Sequence, residues 1–196
     1  MYCLVLGTFT VIPYLAPYFQ ANCGLPANQV PIIYAVAGCA TLVSMIAIGQ
    51  LTDRLGQWPM FLVFAGGSIL MAVVITRLPE VTLLGACLAT TGFMVMASGR
   101  IVPAQAMMLR VADPALRGAF TNLNSAVSNL ATGTAPLISG AIVGELFEGG
   151  PLTNYGTAGL VAAGFGLVAM VWSYWLRPKS TPIAIPASTP LLSETT

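Results

Sequence analysis

No charged residue occurs between Met1 and Thr52 of this 196-residue chain. Beyond Thr52, the charged residues fall into small groups, and uncharged, mainly apolar stretches separate these groups. An α-helix needs about 20 mainly apolar residues to cross the hydrocarbon core of a bilayer. The pattern therefore predicts a chain that crosses a membrane several times and keeps most of its charges in the connecting segments.

The intervals between the charged groups predict six spans. Their predicted bounds are Met1 to Gln20, Val30 to Leu51, Pro59 to Arg77, Val81 to Val111, Ala115 to Val143 and Tyr155 to Leu176. Asn22, Gly24 and Pro26 break the first apolar stretch into two spans, because such residues are typical of turns. We expect residues 1–177 to form an all-α bundle of six transmembrane helices, and residues 178–196, a Pro/Ser/Thr segment, to form a disordered cytoplasmic tail.

The composition excludes several other classes of protein. Hydrophobic residues make up 57% of the chain and charged residues 7%, with no histidine, whereas soluble domains carry about 25% charged residues. The seven basic residues are scattered, which argues against nucleic-acid binding. The four cysteines lack the spacing of a metal site, and no carboxylate pair points to catalysis. We therefore expect no enzyme activity, no metal and no cofactor.

The distribution of basic residues predicts the orientation in the membrane. Five of them lie around Arg54, around Arg110 and Arg117, and in the tail with Arg177 and Lys179. Loops rich in Lys and Arg stay on the cytoplasmic side. We expect a multi-pass protein of the cell (plasma or inner) membrane with both termini in the cytoplasm. The first span has no basic flank, so it does not look like a signal peptide, and we expect the chain to begin partway into a larger protein.

The connection between the second and third predicted spans carries a motif. It runs from Gly49 to Trp58, and its characteristic residues are Gly49, Asp53, Arg54 and Gly56. The motif resembles the loop signature G-x-x-x-D-R-x-G-R/K-R/K of the major facilitator superfamily, and it departs from that signature at Gln57 and Trp58. The resemblance implies a cytoplasmic latch in which the Asp53 carboxylate docks at a helix N-terminus of the opposite half.

A second stretch, from Ala131 to Gly140, is similar to the G-x-x-x-G-P-x-x-G-G motif of the drug-antiporter branch of that family. Gly133, Pro136 and Gly140 match the motif, and alanine or serine stands at other small positions. Small residues let helices approach closely, and proline bends a helix. The resemblance implies one six-helix half of a major-facilitator fold, similar to the C-terminal half of a drug- or sugar-efflux permease.

Polar residues within the predicted spans are the candidates for a substrate path. By resemblance, the first, second, fourth and fifth spans line the path, and the third and sixth face lipid. Tyr14 on the first span and Asn122, Ser125 and Asn129 on the fifth have the right location. Amides are costly in hydrocarbon, so they should face protein or water. The alternative is that they only form hydrogen bonds between helices.

Arg100 is the only charged residue well inside a predicted span. A charge at that depth predicts a functional role, either binding an anionic substrate group or pairing with a carboxylate of a second half. The alternative is that its side chain extends to the cytoplasmic surface. None of the six acidic residues lies within a span, so any proton-coupling group is expected on another polypeptide segment.

Three hypotheses of function follow. The chain is half of a secondary carrier that moves small molecules across the bilayer, outward by resemblance to the efflux branch, and pairs with a second six-helix half. Alternatively, it is a stand-alone six-helix carrier that forms homodimers. The third possibility is an accessory or remnant membrane protein without transport activity.

Overall fold

The computed structural model of the chain describes residues 1–79, 81–111, 114–145 and 150–175. The predicted tail at 178–196 lies outside the described residues, so its disorder stays a prediction. The described part is almost entirely helical. Its helices are α1 (Tyr2–Ala21), α2 (Val30–Leu55), α3 (Gln57–Ile75), α4 (Leu83–Gly99), α5 (Ile101–Val111), α6 (Arg117–Ile142) and α7 (Tyr155–Trp175), with a 3₁₀ turn at Pro114–Leu116.

Five helical segments of the described residues are long and apolar enough to cross a membrane. They are α1, α2, α3, the combined α4–α5 segment and α7. The remaining long helix, α6, has 26 residues, which exceeds the length needed for a span. Its sequence is more polar, because asparagines, serines and threonines recur along it. The fold is a helical membrane bundle, as the sequence predicts.

The helices pack side by side in the order α2, α4, α3, α7, α1, α6. Of the five apolar segments, α1 is the most buried and α2 the least. Small residues allow α7 to lie close to both of its neighbours. A Cβ atom on Gly7 of α1 would approach the Ala162 carbonyl of α7 to 2.9 Å, and one on Gly159 would overlap with Thr76 next to α3.

The connection between α6 and α7 contains a short antiparallel strand pair that the sequence did not predict. Gly144–Glu145 (β1) pairs with Leu152–Thr153 (β2). The Asn22 side chain, just after α1, donates to the Leu152 carbonyl at 3.0 Å and accepts from the Leu152 amide at 2.8 Å. The pair is thereby joined to the C-terminal end of α1.

Two of the predicted spans differ from the observed helices, one in its end and one by an internal break. The second span does not end at Leu51, because α2 continues through Asp53 and Arg54 to Leu55. Only Gly56 separates α2 from α3; its φ of 94° lies in the region that favours glycine. The fourth span is not one helix, because Arg100 separates α4 from α5. The other predicted spans agree with the observed helices to within about two residues, the usual uncertainty of helix ends.

Candidate substrate-path site

Arg100 stands at the break between α4 and α5. Pro103 follows within one turn, and because proline has no N–H, the carbonyl four residues earlier, at Gly99, loses its helical donor. Gly99 has no room for a side chain, since a Cβ there would come within 2.5 Å of the Phe64 ring. The break therefore combines a missing hydrogen bond with close packing against α3. It directs the Arg100 side chain into the bundle, where only 3% of the residue is exposed.

Neutral oxygen atoms surround the Arg100 guanidinium. Its Nη1 donates to Ser68 Oγ on α3 at 2.8 Å. Its Nη2 donates to the Leu4 carbonyl and to Thr8 Oγ1 on α1, both at 2.7 Å. Within the described residues, Arg100 forms no ion pair and its Nε has no hydrogen-bond partner. The side chain thus connects three helical segments through hydrogen bonds, and in this structure it does not extend to the surface.

The two hydroxyl groups that hold Arg100 also bind backbone carbonyls. Ser68 Oγ donates to the Ala65 carbonyl at 2.9 Å, and Thr8 Oγ1 donates to the Leu4 carbonyl at 3.1 Å. Each hydroxyl therefore donates to its own helix and accepts from Arg100. Sequence reasoning missed Thr8 and Ser68, because hydroxyl residues are common in apolar helices and nothing local distinguishes these two. The only available signal was that a buried cation needs several acceptors.

An uncharged groove lies between α1, α2 and α4. It has a volume of about 400 Å³, and its lining residues include Thr8, Ile12, Thr41, Phe93 and Ser98. A second cavity, of about 600 Å³, lies near the first turn of α1 and is lined mainly by apolar side chains. Arg100 lines neither cavity. The cation is therefore sealed behind Leu4 and Thr8, which do line them.

The predicted path residues of α6 lie on an exposed face. Asn122, Ser125 and Asn129 are all exposed, and none of them has a side-chain hydrogen bond within the described residues. A neighbouring exposed face of the same helix is apolar and includes Leu123, Leu130 and Leu137. The helix α6 thus presents a polar stripe beside an apolar stripe. The structure does not bring these three polar residues together with Arg100, which faces α1 and α3.

Tyr14 and the glycines of α6 have different environments. Tyr14 is half-buried. A Cβ atom on Gly140 would lie only 2.8 Å from the Tyr14 hydroxyl. Gly133 is exposed, with open space around it. The close contact between α6 and α1 is made instead by buried Ala131 and Ala135, which pack with Val5 and Leu6. The small residues do serve helix packing, but within the described residues Gly133 is not one of them.

The motif between the second and third predicted spans is helical. Gly49, Asp53 and Arg54 belong to α2, and Gly56 is the joint before α3. Asp53 and Arg54 are exposed and form no ion pair with any described residue. The described part of the chain thus leaves both charges free at the end of the bundle where α2 meets α3.

The long apolar helices identify a multi-pass membrane protein. Comparison with known proteins specifies the family. The profile of the Major Facilitator Superfamily matches residues 1–193. The chain therefore belongs to the major facilitator superfamily, whose members are transport proteins and not enzymes.

A protein of Haemophilus influenzae named "Putative metabolite transport protein" is 25% identical to this chain over 139 residues. The match covers 70% of this chain and 33% of the relative, so the chain matches about one third of the length of that protein. No solved structure matches the chain. The family assignment thus confirms the resemblance carried by Asp53 and its neighbours.

Proposed function

We propose that this chain forms one six-helix half of a secondary carrier that exports small molecules by alternating access. The supporting observation is the exposed polar face of α6. Asn122 and Asn129 are exposed within a helix long enough to span the bilayer, and unpaired amides are costly in hydrocarbon. A second half that encloses a water-filled path beside α6 would remove that cost. In transporters of this kind, the substrate path runs between two such halves.

The export direction, the orientation and the membrane are parts of the same proposal. Export is supported by the similarity of the Ala131–Gly140 stretch to the drug-antiporter branch. Cytoplasmic termini in the cell membrane are supported by the basic residues Arg54, Arg110 and Arg117, which share one side of the predicted topology. Arg100 stays a candidate path residue, although its hydrogen bonds to Leu4, Thr8 and Ser68 also give it a packing role.

Cysteine labelling tests the water-filled path. The starting variant replaces Cys3, Cys39 and Cys87 with alanine and keeps the buried Cys23. We expect Asn129→Cys, on the polar stripe, to react with a membrane-impermeant maleimide in membrane vesicles prepared from the native host, where the second half is present. Leu130→Cys is the matched control, because it is the next residue and is 61% exposed on the apolar stripe. Lipid should protect it from the reagent.

Equal labelling of the two variants would contradict the proposed path. The half-carrier itself is tested by native mass spectrometry in detergent together with a transport assay on the reconstituted chain. We expect no transport by a monomer of this chain alone. Transport by a monomer would overturn the proposal, and transport by a homodimer would favour a stand-alone carrier.

A further inference from the structure

We infer that the cavity of about 600 Å³ near the first turn of α1 is a binding site for an anionic phospholipid. One acyl chain occupies the cavity, and the phosphate of the headgroup lies against Arg110 and Arg117 at its rim. The inference goes beyond the proposed carrier function and does not depend on transport. It also gives a role to two exposed arginines that have no ion pair within the described residues.

The cavity lies at one end of the bundle, where the ends of five helices meet. Helices α1, α3 and α6 begin there, and α5 and α7 end there. Of the residues that the structure describes, those that line the cavity are mostly apolar and none carries a charged side chain. Its volume of about 600 Å³ is within the range of about 300–1,000 Å³ for small-molecule sites. The interior therefore suits hydrocarbon.

The cavity is open beside the last turns of α7. Its lining on this helix extends from Ser173 inward to Val168, and Val168 and Trp172 are 51% and 67% exposed. The next aromatic residue, Tyr174, lies with its ring 6.3 Å from the ring of Trp58 at the start of α3. Tryptophan and tyrosine are typical of the level of the lipid headgroups. The cavity thus extends from the headgroup level toward the hydrocarbon, as an acyl chain does.

Two exposed arginines stand next to the lining of the cavity. Arg110 follows Met107 by three residues on α5, and Arg117 precedes Phe120 by three residues on α6. Met107 and Phe120 line the cavity. Residues three apart share a helix face, so each arginine lies one turn beyond the lining, toward the end of the bundle. Asp113, between them in the sequence, lies outside the described residues.

The two parts of the site favour a single class of ligand. Arginine binds phosphate oxygens through parallel N–H donors, and basic pockets between transmembrane helices bind anionic headgroups. A soluble anion would gain nothing from the apolar cavity, and an uncharged apolar molecule would leave the arginines unpaired. Because an acyl chain is already in an apolar environment in the bilayer, the cavity fixes where the lipid lies. The arginines supply the preference for an anionic headgroup over a zwitterionic one.

Quenching of tryptophan fluorescence by brominated lipids tests the inference. The variant with Trp58→Phe and Trp175→Phe keeps only Trp172, which lines the cavity. The whole chain is reconstituted in phosphatidylcholine vesicles that contain dibrominated phosphatidylglycerol, or phosphatidylcholine with the same dibrominated chains. We expect the anionic lipid to bind next to Trp172 on the order of tenfold more tightly, since each basic residue at a membrane surface contributes a factor of about five.

Single arginine variants locate the headgroup. In the Trp172 reporter, Arg110→Gln and Arg117→Gln should each lower the preference for the anionic lipid by about fivefold. Arg54→Gln is the matched control, because Arg54 is exposed at the same end of the bundle but α2 does not line the cavity. We expect Arg54→Gln to leave the preference unchanged to within about twofold, since salt screens distant charges.

A second pair of variants locates the acyl chain. Ala169 lines the cavity, so Ala169→Phe should fill part of it and abolish most of the preference, although both arginines remain. Val171→Phe is the control, because Val171 is exposed on the same helix and does not line the cavity. It should keep the preference. Circular dichroism checks that the helical content of every variant is unchanged.

Equal quenching of Trp172 by the two lipids would overturn the inference, and so would a preference that neither arginine variant lowers. A preference that Ala169→Phe leaves intact would overturn it as well, because the arginines would then act as surface charges without the cavity. A further reporter carries Leu167→Trp, on the exposed face of α7, in a chain with phenylalanine at the three native tryptophan positions. If both lipids quench this reporter and neither quenches Trp172, a protein segment fills the cavity and the inference fails. None of these results depends on transport.

Discussion

One end of the bundle is held by hydrogen bonds between segments distant in sequence, whereas the other end leaves its charges unpaired within the described residues. At the first, called the hairpin end, Asn22 binds Leu152 through two hydrogen bonds and Tyr18 donates to the Leu78 carbonyl at 2.6 Å. Nearby, Tyr155 donates to the Val11 carbonyl at 2.8 Å. These bonds connect α1 to the segments before α4 and before α7.

The opposite end, called the charged end, carries Asp53, Arg54, Arg110 and Arg117. All four side chains are exposed, and within the described residues none of them forms an ion pair. The contrast indicates that the chain itself stabilises its hairpin end, while the charges at the other end are available to groups outside the described residues. This fits a bundle that keeps one rigid end and forms exchangeable contacts at the other.

The largest effect should come from overpacking the hairpin end. Gly159 lies on α7, where a Cβ would overlap with Thr76. We expect Gly159→Leu to force α7 away from α3 and to destabilise the chain by about 3 kcal/mol or more, the upper end of the cost of overpacking. Thermal unfolding in detergent, followed by circular dichroism, measures the effect.

Gly164→Leu on the same helix is the control for Gly159→Leu. A Cβ at Gly164 has open space around it, and the substitution removes a glycine in the same way. We expect the melting temperature of Gly164→Leu to stay near that of the unmodified chain. If the two variants unfold at the same temperature, close packing between α7 and α3 does not hold this end.

A smaller loss should follow when the hydrogen bonds at the hairpin end are removed. Asn22→Ala eliminates both bonds to Leu152 and leaves the Leu152 amide without its partner. At about 0.5–1.5 kcal/mol for each hydrogen bond, we expect a loss of roughly 1–3 kcal/mol in unfolding free energy. Asn129→Ala is the control, since Asn129 is exposed and has no side-chain bond within the described residues. An equal loss in both variants would contradict a specific role for Asn22.

The sequence predicted the helices far better than the contacts between them. The apolar stretch from Met1 to Gln20 is itself the cause of α1, so its bounds agree with the structure to within one residue. The break at Arg100 and the partners of its side chain were not predictable. Thr8 and Ser68 lie 92 and 32 residues away along the chain, and only the packing of α1, α3 and α4 brings them together. The hairpin was missed because each strand has only two residues.

The continuation of α2 through the charged motif was missed for a different reason. The predicted spans end at charged groups, whereas a helix can extend beyond the hydrocarbon into water. Asp53 and Arg54 do not interrupt a helix, whereas Gly56, with its φ of 94°, does. The local structure of the motif was therefore predicted wrongly, and the role of its residues stays a prediction.

The smallest change in stability is expected at the charged end. It tests most directly whether the two ends of the bundle are held differently. Because Asp53 is exposed and has no ion pair within the described residues, Asp53→Asn should change the stability of this chain by no more than about 0.5 kcal/mol. Ser68→Ala is the comparison, since it removes an acceptor from buried Arg100 and should cost about 1–3 kcal/mol. If Asp53→Asn destabilises the isolated chain as much as Ser68→Ala, the carboxylate already has an internal partner. The charged end would then be held by its own contacts, like the hairpin end, and Asp53 would not be free to dock on a second half.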